Sequence, residues 1–134
     1  MSEIFLVAQE TITVGEGVTI FGESPEGRFA TVFEDDGETG YFYALDAEKA
    51  DNQICDAVHI YNVKNVADKN IPSKIEIVWS KDGLKSALLI NEYPHAVFDF
   101  AEKRGYCRTN FPPSDKKWTK FEHEWADEAL ELFR

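Results

Sequence analysis

The sequence predicts an α+β fold: a mainly antiparallel, curved β-sheet or partial barrel, built as a meander of hairpins, with one C-terminal amphipathic α-helix. Three observations carry this. Apolar and polar residues alternate between Lys74 and Phe100, the period of strands. Gly and Asp interrupt the aromatic and β-branched runs at hairpin spacing. Helical periodicity is confined to the stretch after Thr119. The 134 residues suit a single domain, and no linker, repeat or low-complexity tract divides residues 1–134. With 43% hydrophobic and 13% aromatic residues, the chain can bury enough apolar surface to offset the entropy of ordering, which excludes a disordered chain.

Ile4 to Val7 and Thr11 to Val14 are apolar or β-branched runs punctuated afterwards by Gly15, Gly17 and Gly22, and read as short strands. Arg28 to Glu34 and Tyr41 to Leu45 flank the turn-forming segment from Asp35 to Gly40, which predicts a hairpin. Ile54 to Val63 is apolar on both pleat faces, as a central strand covered on two sides requires. Asp82-Gly83 sets the register of the next hairpin, placing Ile77 opposite Leu88 and Ile75 opposite Ile90. A further turn at Glu92-Tyr93-Pro94 brings Ala96, Phe98 and Phe100 onto that core face, while His95, Val97 and Asp99 point the other way. That second face also holds Val78, Ala87 and Leu89 and is too apolar to stand bare, so a further element is expected to cover part of it. Thr119 and Glu122 have capping-box spacing, and Phe121, Trp125, Ala129, Leu132 and Phe133 recur at helical period, predicting a helix from Thr119 to about Phe133. That helix should dock on the sheet.

The net charge is -11, and all of the excess lies in the first sixty residues, where thirteen Asp and Glu face only Arg28 and Lys49. Such a chain repels phosphate backbones and anionic lipid, so neither nucleic acid nor a membrane surface is an expected partner. A basic protein is the better electrostatic match. The start of the chain lacks the positive n-region and long apolar run of an export signal, and nowhere is there an apolar run long enough to span a bilayer. Cys55 and Cys107 stand far apart, so neither a disulfide framework nor a zinc ribbon is implied, and a cytoplasmic location is expected.

The most specific catalytic arrangement is Cys107 as thiolate, His95 as base and Asp99 as orienting carboxylate, with Arg108 lowering the thiol pKa. Against it, residues four apart on a strand stand roughly 13 Å apart, beyond hydrogen-bond reach. Cys55 with His59, or His123 with Asp127, offers only two metal ligands, and the acidic segment from Glu34 to Glu38 lacks the alternating oxygens of a calcium loop. No phosphate-binding loop, nucleophile elbow or zinc-protease motif is present, and no cofactor is implied. Tyr41 and Tyr43 could line a ligand cleft, although alternating aromatics more often serve the core. Pro112-Pro113 reads as a spacer.

The segments Val32 to Asp46, Ile77 to Ser80, Tyr93 to Phe100 and Arg104 to Arg108 resemble a family of small bacterial proteins known only as a domain of unknown function. The resemblance spans most of the chain, implies a bacterial cytosolic protein, and carries over no catalytic residue.

The function that follows is a non-enzymatic binding protein whose acidic surface, through Glu34, Asp35, Asp36 and Glu38, meets a basic protein partner, with a toxin inhibitor or immunity protein as one form of it. Two alternatives stand beside it. One is a cysteine-dependent enzyme or thiol sensor centred on Cys107; the other is a small-ligand-binding β domain with its pocket between sheet and helix.

Overall fold

Turn chemistry and period-two alternation set the hairpins of the protein, and nonlocal pairing then sorts them into two sheets. The computed structural model describes residues 4–49, 53–114, 116–120 and 122–133. The strands are β1 (Ile4–Ile12), β2 (Val18–Glu23), β3 (Phe29–Asp35), β4 (Thr39–Asp46), β5 (Ile54–Asn62), β6 (Ser73–Ser80), β7 (Lys85–Ile90), β8 (Tyr93–Asp99) and β9 (Arg104–Cys107). One sheet runs β1-β6-β7-β8-β9 and the other β2-β3-β4-β5, with every neighbour antiparallel. Edge β1 lies beside β2, and edge β9 beside β5, so the sheets face each other around a shared interior.

The inner faces supply one core. Phe33, Phe42 and Val58 come from one sheet, and Ile75, Ile77, Trp79, Leu88 and Phe98 from the other; all are fully buried. Phe42 stacks on Phe98 with ring centroids 5.3 Å apart, across the interface between sheets. Two polar contacts also cross it. Thr31 Oγ1 and Ser86 Oγ lie 2.8 Å apart in the interior, and the Trp79 indole N–H donates to the Gly22 carbonyl at 3.2 Å. Gly22 is required there because a Cβ would stand 2.6 Å from Ile77 Cγ2.

The β6–β7 register matches the sequence expectation, with Ile77 opposite Leu88 and Ile75 opposite Ile90. The β7–β8 reversal falls at Asn91-Glu92, both with positive φ (52° and 70°), one residue earlier than the Pro94 turn signal suggests. The first apolar run and the start of the second, Thr11 and Ile12, form one strand, β1, bent by a bulge between Leu6 and Ala8, and Thr13 and Val14 fall beyond its end. β5 is a sheet edge pairing only with β4, not the central strand its apolar pattern predicts. Part of its open side is satisfied by the later chain, since the His59 N–H donates to the Phe111 carbonyl at 2.8 Å and the Thr109 hydroxyl donates to the His59 carbonyl at 2.6 Å.

The predicted C-terminal α-helix is absent, and with it the α+β class: among the described residues the protein is nearly all antiparallel sheet. Residues that would open the helix are held elsewhere. Thr119, the expected cap, donates its hydroxyl to Asp56 Oδ2 at 2.5 Å and accepts the Gly105 N–H at 2.9 Å. Glu122, the other half of the capping box, pairs with Lys116 at 2.5 Å. The Cys107 N–H donates to the His123 carbonyl, and Glu124 bridges Cys107 in parallel, which holds this stretch extended. Tertiary partners thereby displace a local helix signal. Only a 3-10 run over Asp127–Phe133 follows. Phe121 and the side chain of Leu132 lie outside the described residues. The exposed apolar face of the β6–β9 sheet is nevertheless covered: Ala129 and Phe133 pack on Ala87, Val97 and Tyr106, joined by Trp125 and Ala126.

Candidate functional site

Alternation along β4 sends Phe42 into the core and leaves Tyr41 and Tyr43 on the outer face of the β2–β5 sheet. Antiparallel register then aligns Thr19, Glu34, Tyr41 and His59 in one row, and Phe21, Val32, Tyr43 and Ala57 in the next. Rings touch in sequence along this face. Tyr43 and Tyr41 stack at 5.7 Å, Tyr41 meets His59 edge-on at 4.7 Å, and His59 meets Phe111 edge-on at 4.8 Å. Phe111 arrives from the chain after β9 and is 50% exposed; Phe21, at the other margin, is 56% exposed. Beyond His59 the face deepens into a cleft lined by Asn65, Thr109 and Phe111.

One carboxylate stands among these rings. The Tyr43 hydroxyl donates to Glu34 Oε1 at 2.8 Å. Burial, reinforced by that bond and the Glu34 charge, pushes the Tyr43 pKa far above the ordinary phenol value. Burial also holds the His59 imidazole below its usual value, so it is neutral near pH 7. An array of ring faces around a carboxylate is suited to hold a cation, by ring quadrupole and by charge together.

The acidic segment beside this face divides by role. Asp35 is 1% exposed, and its carboxylate accepts from the Gly15 N–H (2.7 Å), the Gly37 N–H (2.8 Å) and the Tyr61 hydroxyl (2.7 Å). It ties the β1–β2 and β3–β4 connections to β5 and presents nothing to a partner. Asp36 Oδ1 accepts the backbone N–H groups of Thr39 and Glu38, which lower its pKa, yet the side chain is exposed. Glu38 is exposed and shares a surface depression with Lys64 and Lys69.

Among the described residues no side-chain hydrogen bond joins Cys107, His95 and Asp99 to one another. Cys107 is 1% exposed, and its thiol donates to the His59 carbonyl at 3.2 Å and lies 3.2 Å from Thr109 Oγ1. Burial raises its pKa despite the opposing hydrogen bonds of Thr109 and of the Asn110 and Phe111 backbone. Asp99 accepts the Ala101 and Glu102 N–H groups in the following turn. His95 lines a separate cavity. The Cys55 thiol turns to the Gln53 carbonyl at 3.7 Å, and Asp127 accepts the Trp125 indole N–H at 2.8 Å. Among the described residues no group of three or more His, Cys, Asp or Glu is placed to hold a metal.

Sequence reasoning missed His59 and Phe111 as members of the aromatic row. The two meet across about fifty residues by a β-edge contact that no local pattern encodes. It also missed the pairing of His123 with Asp56. His123 is 1% exposed, with Nε2 at 2.8 Å from Asp56 Oδ2 and Nδ1 at 2.7 Å from the Pro112 carbonyl. Both neighbours only accept, so both bonds form when the ring is protonated. Burial opposes that form, but the bonds to Asp56 and Pro112 and the nearby carboxylates prevail and raise the His123 pKa.

No helix among the described residues is long and apolar enough to cross a membrane. No solved structure matches the chain. A protein of Haemophilus influenzae, described as uncharacterized, is 46% identical over 111 residues, covering 81% of this chain and 66% of that protein. Neither this relative nor the structure supports the expected toxin-inhibitor or immunity role, or a cysteine-dependent reaction, and the immunity expectation is set aside. Residues 12–134 match the model of a family described as uncharacterized protein conserved in bacteria, DUF2251, and the chain belongs to that family.

Proposed function

We propose that the protein is a non-catalytic binding domain that takes a cationic segment of a protein partner on the outer face of the β2–β5 sheet. The supporting observation is the continuous row of rings from Tyr43 through Tyr41 and His59 to Phe111, with Glu34 among them. Charge complementarity favours a basic occupant. Arg28 pairs with Asp46 and Glu48, whereas among the described residues Glu10, Glu16, Glu23, Glu26, Glu34, Asp36 and Glu38 have no Lys or Arg within ion-pair distance. Arginine suits the face better than lysine because its planar guanidinium can stack on a ring while donating to a carboxylate.

Titration with an oligo-arginine peptide, followed by NMR, tests the reading. Saturable shifts should concentrate at Tyr41, Tyr43, His59 and Phe111, and the affinity should fall with added salt. Glu34→Gln combined with Phe111→Ala should weaken binding at least about tenfold, the equivalent of one ring contact and one charge. Shifts scattered over every acidic loop, unaffected by the double substitution, would show only generic attraction and overturn it.

A further inference from the structure

A second site lies at the end of the molecule where β5, β7 and the β5–β6 connection converge on a cavity. Its floor is the core itself: Ile60 is 5% exposed, and Ile90 packs against the same cluster. Ile71, 61% exposed, stands at the rim. His95 reaches this cavity through an irregularity in the sheet. Leu88 pairs with Ala96 and Leu89 with Pro94, so His95 is the extra residue of a bulge. Regular alternation would have placed it with Val97 on the opposite face of the sheet. The bulge instead brings His95 into the lining of the cavity, and bulges commonly re-aim side chains in this way beside functional sites.

Tyr93 meets the imidazole edge-on at 5.5 Å, but among the described residues none hydrogen-bonds to its ring nitrogens. Burial, with the Arg108 charge second, lowers its pKa and keeps the ring neutral. A neutral imidazole offers one N–H and one acceptor nitrogen, a match for a hydroxyl. Asp68 in the lining opposes an anion.

We propose that this cavity binds a small, uncharged, mainly apolar molecule bearing one hydroxyl, with His95 as its hydrogen-bonding partner. The site is independent of the aromatic face. The test uses the full chain and p-cresol, with toluene and 4-methylbenzoate as probes lacking the hydroxyl or carrying a negative charge. Methyl resonances of Ile60 and Ile90 should shift saturably with p-cresol, and the other two probes should bind about tenfold more weakly. His95→Phe should reduce p-cresol affinity about tenfold while leaving toluene unchanged. Should that variant fail to fold, Ala67→Trp at the exposed rim should block all three probes. No saturable shift, equal binding of p-cresol and toluene, or undiminished binding in the folded variants would overturn the proposal.

Discussion

Asp35 gives the most demanding test of how the connections are held. Its buried carboxylate accepts three hydrogen bonds, from Gly15, Gly37 and Tyr61, at 2.7 to 2.8 Å. A hydrogen bond to a charged group contributes about 1.5 to 3 kcal/mol, and a donor left without a partner costs about 1 to 3 kcal/mol. Water can reach the two loop N–H groups more readily than the Tyr61 hydroxyl, which lowers the combined figure. Asp35→Ala should therefore cost about 3 to 4 kcal/mol, a large share of the roughly 7 to 15 kcal/mol expected for a domain of this size. The melting temperature should fall by about 10 °C or more. Urea unfolding of the wild type, Asp35→Ala, Tyr61→Phe and the double variant would measure it. Tyr61→Phe alone should cost about 1 kcal/mol, and the double variant should cost less than the two single changes together. An Asp35→Ala loss below about 1 kcal/mol with an unchanged m-value would refute the reasoning.

Three further outcomes are expected. Because the folded-state pKa of His123 is raised, its stabilisation is fully present below the unfolded value of about 6.5 and is lost as pH rises through the folded value; His123→Phe should remove that slope from a pH series of thermal melts. The Arg108 guanidinium lies 4.4 Å from the Tyr93 ring and 4.1 Å from the Trp125 ring while its Nε–H donates to the Pro94 carbonyl, so Arg108→Lys should cost about 1 to 2 kcal/mol and increase hydrogen exchange over residues 124–131. Alkylation of the folded protein read by mass spectrometry should modify Cys55 before Cys107, because burial raises the pKa of both but Cys107 is the more deeply enclosed; fast reaction at Cys107 would revive a thiol function.

The hairpins were legible wherever turn and register information is local. Asp82-Gly83 and the alternation on either side of it placed Ile75, Ile77, Leu88 and Ile90 on one face, as found. The covered second face was legible as well, from Val78, Ala87 and Leu89 being too apolar for water. The candidate site was legible only in part. Tyr41 and Tyr43 share a face by their spacing, but the edge contact that completes the row with His59 and Phe111 depends on how β5 meets the chain after β9.

The amino-acid sequence by itself determined the antiparallel hairpins, the apolar composition of both sheet faces and the surplus of negative charge, because each follows from residue identity or from neighbours a few positions apart. Tertiary structure alone decided the division into two sheets, the edge position of β5, the bulge that turns His95 and the loss of the C-terminal helix. The helix shows the physical reason. A capping signal is a weak local preference, and at Thr119 it met the partly buried Asp56 carboxylate and the Gly105 N–H, bonds that an isolated segment could never form.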